Sequence, residues 1–215
     1  MAKREEKGTT IPWLGEAGER GEALEGLFVP PEEGCDTGAV IAPPHPLYGG
    51  SMDAPVVCEL AWACTRAGRA SLRFNWRGVG GSTGAPSGDL ALACEDIQAA
   101  LLQLGRTVPG RLVAAGYSFG AVATLGAAAD QPRVDRLVLV APPPAMLDAE
   151  RLRAEQREIL VLAGAHDTIA PPAALEALVA ELPRARFVVI PEADHFFAAG
   201  LVQLGNEVTS WLRGE

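Results

Sequence analysis

The chain is 215 residues long and weighs 22.4 kDa, the size of one domain, with 48% hydrophobic and 21% charged residues. A net charge of −9 and a pI near 4.9 argue against a nucleic-acid partner, since such binding needs clustered Lys and Arg to neutralise phosphates. No apolar run approaches the roughly 20 residues of a membrane helix, and the mixed-charge residues 1–7 lack the apolar core of an export signal, so a cytoplasmic protein with no membrane partner is expected.

Residues 1–20 are a weakly structured start, with a short edge strand expected at 11–14 before the turn Gly15-Glu16-Ala17-Gly18. Residues 23–29 alternate as a strand, closed by Pro30-Pro31, and should pair with the first as a hairpin. Residues 39–42 are wholly apolar, as in a parallel strand covered on both faces. After the loop at 43–50, Asp53 is expected to cap a helix with Pro55 at its start and a body over 56–67, stopped by Gly68. A strand at 70–74 enters a loop with glycines at 78, 80, 81, 84 and 88, followed by a helix over 89–104 with Gly105 as its stop.

Strands come next at 112–115, 134–140, 158–162 and 187–190, alternating with helices reaching about 129 and covering 145–156, 171–182 and 196–211. Such alternation predicts an α/β fold in one domain, its mostly parallel sheet of about seven to eight strands covered by helices on both faces. The four cysteines at 35, 58, 64 and 94 have no C-x-x-C spacing and read as small buried hydrophobes.

In open parallel sheets, functional residues gather in loops at the carboxyl ends of the strands. Those loops hold His45 and Tyr48, Trp76 and Arg77, Ser118, Asp167, and Asp194 with His195. Gly116-Tyr117-Ser118-Phe119-Gly120 lies between a strand and a helix, the G-x-S-x-G pattern that lifts a serine above the sheet. There the glycines are expected to relieve collisions across the turn and to take its strained dihedrals.

A serine needs a base, and histidine ionises near neutral pH, so His195 is the candidate. The imidazole needs an orienting carboxylate, for which Asp167 is placed after a strand and before a helix. Asp194 is the rival, although adjacent side chains in an extended segment point apart. No H-x-x-x-H spacing is present, so neither metal nor cofactor is expected. Arg77 either binds an anionic substrate or tethers its loop to Asp96, and the tether is preferred.

The order Ser118, Asp167, His195, with the glycine pattern around Ser118, resembles the α/β-hydrolase superfamily, from about residue 20 to the end. His45-Pro46-Leu47-Tyr48-Gly49-Gly50-Ser51-Met52 and Phe74-Asn75-Trp76-Arg77-Gly78-Val79-Gly80 look further like small lidless bacterial hydrolases related to dienelactone hydrolases and carboxylesterases.

The resemblance implies an α/β-hydrolase fold with a minimal lid or none and a serine hydrolase cleaving small-molecule carboxylic esters of small or exposed acyl groups through an acyl-enzyme. It also implies an oxyanion hole built from backbone amides. Where relatives often have His-Gly, this chain has His45-Pro46, and proline carries no N–H. Leu47 is therefore expected to supply one oxyanion amide, with Tyr48 as the alternative, and Phe119 the other. Tyr48, Trp76 and Tyr117 are expected to line the substrate pocket, with the Phe119 ring beside them. A thioesterase, lactonase or peptidase would share these residues, as would a non-catalytic binding protein on the same fold.

Overall fold

A sheet of eight strands organises the computed structural model, which describes residues 5–13, 22–129 and 131–215. The strands are β1 (Lys7–Pro12), β2 (Ala23–Val29), β3 (Gly38–Ala42), β4 (Ala70–Phe74), β5 (Leu112–Tyr117), β6 (Val134–Val140), β7 (Glu158–Gly164) and β8 (Ala185–Ile190). Their order is β1-β2-β4-β3-β5-β6-β7-β8. β1 and β2 form the expected antiparallel hairpin and β2 runs antiparallel to β4; every later pairing is parallel. The expected turn at 15–18 and the end of the first strand at Leu14 lie outside the described residues.

The helices are α1 (Pro55–Arg66), α2 (Leu90–Thr107), α3 (Phe119–Ala127), α4 (Ala149–Ala154), α5 (Pro172–Val179) and α6 (Leu201–Arg213). Parallel crossovers are right-handed. Because β4 and β5 flank β3 on opposite sides, the crossovers put α1 on one face of the sheet and α2 and α3 on the other. The closing helix α6 returns to pack on α1. The direction of winding reverses between β3 and β5, whose ends meet at Ala42 and Gly116, and a crevice opens there.

Several local expectations change for reasons outside their segments. Asp53 makes no cap: α1 starts after Ala54 without a side-chain bond, and the Asp53 carboxylate accepts from Arg73 at 2.8 Å. Gly105 does not stop α2, which continues to Thr107 because Arg133 folds over it and donates to the Gly105 carbonyl at 2.8 Å. The helix expected over 145–156 divides into a 3-10 turn at Pro144–Met146 and α4, where Asp148 caps by accepting from the Arg151 amide. The last helix begins at Leu201 rather than 196, because Asp194 Oδ1 holds the Phe196 and Ala198 amides in a turn.

Arg77 is a tether. Its Nε donates to Asp96 Oδ1 at 2.9 Å, a second nitrogen reaches Glu95 at 2.9 Å, and the guanidinium lies 4.2 Å from the Trp13 ring centre. No described helix is long and apolar enough to cross a membrane.

Candidate active site

Ser118 joins β5 to α3 with φ 55 and ψ −120, a left-handed conformation that costs a non-glycine residue about 1–3 kcal/mol. The neighbouring glycines do not share that strain, since neither has a positive φ. Their role is space. A Cβ on Gly116 would sit 2.3 Å from the Gly120 carbonyl oxygen, and one on Gly120 would sit 2.3 Å from that of Pro43. So Gly116 closes the turn, while Gly120 seats the start of α3 against the loop after β3.

The turn holds the Ser118 hydroxyl 3.0 Å from His195 Nε2, and His195 Nδ1 lies 2.7 Å from Asp167 Oδ2. The other Asp167 oxygen accepts from the Ile169 and Ala170 amides at 2.8 and 2.7 Å. Burial alone would raise the Asp167 carboxyl, but the hydrogen bonds from His195 and these amides outweigh it and hold the group below the ordinary carboxylate range. An ionised carboxylate only accepts, so the His195 proton belongs on Nδ1 and the Nε2 lone pair faces the serine.

Because the Asp167 ionisation is depressed on folding, the stability it brings is present above the ordinary carboxylate range. It is lost as pH falls through the lowered value. The stability gap between the wild type and Asp167→Asn, measured by urea unfolding, is expected to be widest near neutral pH and to close in acid. A gap that does not change with pH would refute this.

Two residues position the histidine loop. Tyr117 donates its hydroxyl to the His195 carbonyl at 2.8 Å, and burial pushes its phenol far above the ordinary range, so it stays a donor. Gly164 at the end of β7 lets the loop pass: a Cβ there would lie 2.4 Å from the Ala193 carbonyl oxygen. The rival acid Asp194 spends Oδ1 on its own turn. Among the described residues no three His, Cys, Asp or Glu side chains are grouped as a metal site.

A cavity of about 690 Å³ opens over Ser118 and His195, at the crevice between β3 and β5. These observations meet in one comparison: the sequence model of the alpha/beta hydrolase fold family matches residues 47–158, just over half of the chain. The chain belongs to the alpha/beta hydrolase family.

Among solved structures, this hydrolase is similar to an alpha-beta serine hydrolase homologue from Coxiella burnetii. The two are 30% identical with a TM-score of 0.84, covering 96% of this chain and 97% of the other. It is also similar to a Xanthomonas campestris a/b serine hydrolase without lid, at 29% identity and TM-score 0.83, covering 98% and 94%. An uncharacterized protein of Mycobacterium tuberculosis is 29% identical over 198 residues, 81% of this chain and 69% of that protein. Like the Xanthomonas protein, this hydrolase has no lid among its described residues; only the 3-10 turn and α4 separate β6 from β7.

The loop after β3 departs from expectation. The Leu47 amide donates to His45 Nδ1 at 3.2 Å and the Tyr48 amide to the His45 carbonyl at 3.1 Å, so both are committed within the loop. Among the described residues the His45 and Phe119 amides meet no acceptor, and both residues line the cavity, their rings 4.6 Å apart. Burial lowers the His45 ring below its ordinary value, which keeps Nδ1 free to accept from Leu47.

Tyr48 and Tyr117 line the cavity. Trp76 does not. It is buried behind the loop, donating Nε1 to the Pro44 carbonyl at 2.8 Å and packing edge-on against Phe119.

Proposed function

We propose that this hydrolase cleaves carboxylic esters through an acyl-serine intermediate, with Ser118 as nucleophile, His195 as general base and Asp167 as orienting acid. The observation that carries the reading is the unbroken relay from the Ser118 hydroxyl through His195 to a buried carboxylate, 3.0 and then 2.7 Å, at the mouth of an open cavity. In this reading Ser118 Oγ bonds to the acyl carbon as its proton passes to His195 Nε2. The carbonyl electron pair moves onto oxygen, facing the His45 and Phe119 amides at the positive end of α3. Collapse of the adduct expels the alcohol, which takes the proton from His195. Water then gives a proton to His195 and attacks the acyl carbon, and Ser118 leaves with that proton as the acid is released.

His45 replaces Leu47 as the proposed first oxyanion donor, because a donor needs a free N–H and the Leu47 amide is occupied. A single such donor is worth about 2.7–4 kcal/mol at the transition state. A fluorophosphonate probe tests the reading, since it reacts with an activated serine whatever the natural substrate. Labelling mapped to Ser118 by peptide mass is expected in the wild type and absent in Ser118→Ala. A wild-type protein that resists the probe would instead be a binding protein on a hydrolase fold.

A further inference from the structure

The cavity above Ser118 has an unusual lining for this chain. Charged side chains make up 21% of the sequence, yet among the described residues no Lys, Arg, Asp or Glu lines it. On the side of the β3 loop the wall is Gly49, Gly50, Ala54 and the first two residues of α1, Pro55 and Val56. Facing them are Pro143, Met146, Ile169 and Phe196, from the loops after β6, β7 and β8. Ser118 lies between two apolar flanks.

The rim extends the pattern outward. Nine large hydrophobic side chains are strongly exposed among the described residues, and four of them line this one cavity: Tyr48 at 87%, Phe196 at 67%, Ile169 at 50% and Met146 at 38%. Single exposed apolar residues need no explanation, but a convergent group around a cleft marks a ligand surface. At about 690 Å³ the cavity has room for far more than an acetyl group. Without a lid to close over them, these side chains would stay wet until a substrate covers them.

Resting on the serine-hydrolase reading above, we propose that the site selects esters that are uncharged on both sides of the scissile bond and carry an extended apolar acyl chain. A carboxylate brought against either flank loses its water and finds no cation among the described lining residues to replace it. The net charge of −9 adds a long-range penalty for anions, one that salt screens and the cavity wall does not.

The test compares kcat/KM for p-nitrophenyl acetate, p-nitrophenyl hexanoate and the mono-p-nitrophenyl ester of adipic acid at high salt. Adipate keeps the hexanoate chain and ends it in a carboxylate. Hexanoate is expected to exceed acetate by about tenfold or more, because each methylene buried in an apolar site adds discrimination. The adipate monoester is expected to fall roughly a hundredfold below hexanoate. Met146→Lys puts a cation on the rim, and the ratio of hexanoate to adipate should then narrow by about tenfold.

An adipate monoester hydrolysed as fast as hexanoate overturns the inference, as does a ratio that Met146→Lys fails to move. If Ser118 still takes the fluorophosphonate and acetate still turns over, only the substrate class has fallen. If the serine stays unlabelled and no ester is cleaved, the hydrolase mechanism falls and takes the substrate class with it.

Discussion

Ser118→Ala is expected to lower kcat for p-nitrophenyl acetate by roughly ten-thousandfold or more, with the urea midpoint nearly unchanged. The hydroxyl's bond is to His195, and alanine tolerates the strained turn no worse than serine does. His195→Ala should cost a similar factor in rate. It should also lower stability, because the ring is buried and its loss leaves Asp167 without its imidazole partner.

The informative variant is the double one. Residues that act as one relay are far from additive, so Ser118→Ala with His195→Ala should be no slower than either alone. Multiplying losses would mean that the two side chains act independently. Retained turnover in Ser118→Ala would place the nucleophile elsewhere, and the relay would then be a structural network.

Much of this site is legible in the chain because its parts are side chains with distinctive chemistry, each directly after a strand. Ser118, Asp167 and His195 stand out among the residues just beyond the apolar runs, and the structure brings the three within hydrogen-bond reach. The strands Ala23–Val29, Ala70–Phe74 and Val134–Val140 have the bounds their patterns suggest, since alternation or burial on both faces leaves a local signature.

The features hidden from the pattern are set by distant partners. Asp53 has the residue type of a cap, but Arg73 claims it from β4. Gly105 has the residue type of a stop, but Arg133 covers it from the segment before β6. Trp76 looks like a pocket aromatic, yet its indole nitrogen holds the Pro44 carbonyl. The proposed oxyanion donor is the least legible of all, because every residue except proline has an amide and only the fold decides which one is free. The missing N–H at Pro46 points downstream to Leu47, whereas the unoccupied amide belongs to the residue before the proline. Gly88 carries a signal that makes sense only once folded: a Cβ there would lie 2.8 Å from the His45 ring, so the glycine keeps that ring in place over Leu47.

Gly116→Ala and Gly120→Ala separate the two halves of the elbow. In Gly116→Ala the new methyl would meet the Gly120 carbonyl oxygen at 2.3 Å and the Ala121 nitrogen at 2.6 Å. These are backbone atoms of the turn itself, so no side-chain rotation relieves the clash. The variant is expected to lose about 3 kcal/mol of stability by urea unfolding. Where it still folds, it should lose about a hundredfold or more in kcat, since a shift near 1 Å in a reacting group costs that much. In Gly120→Ala the methyl strikes the carbonyls of Pro43 and Ala42, at 2.3 and 2.6 Å, where β3 ends and the loop after it begins. Relief there comes from moving the loop that carries His45, not from moving Ser118. Gly120→Ala should therefore keep reacting with the fluorophosphonate at Ser118 while its ester kcat falls, because the proposed His45 amide no longer faces the oxyanion. Equal stability and full activity in Gly116→Ala would show that the turn is looser than a 2.3 Å approach allows. An unchanged kcat in Gly120→Ala would remove the loop after β3 from the oxyanion site.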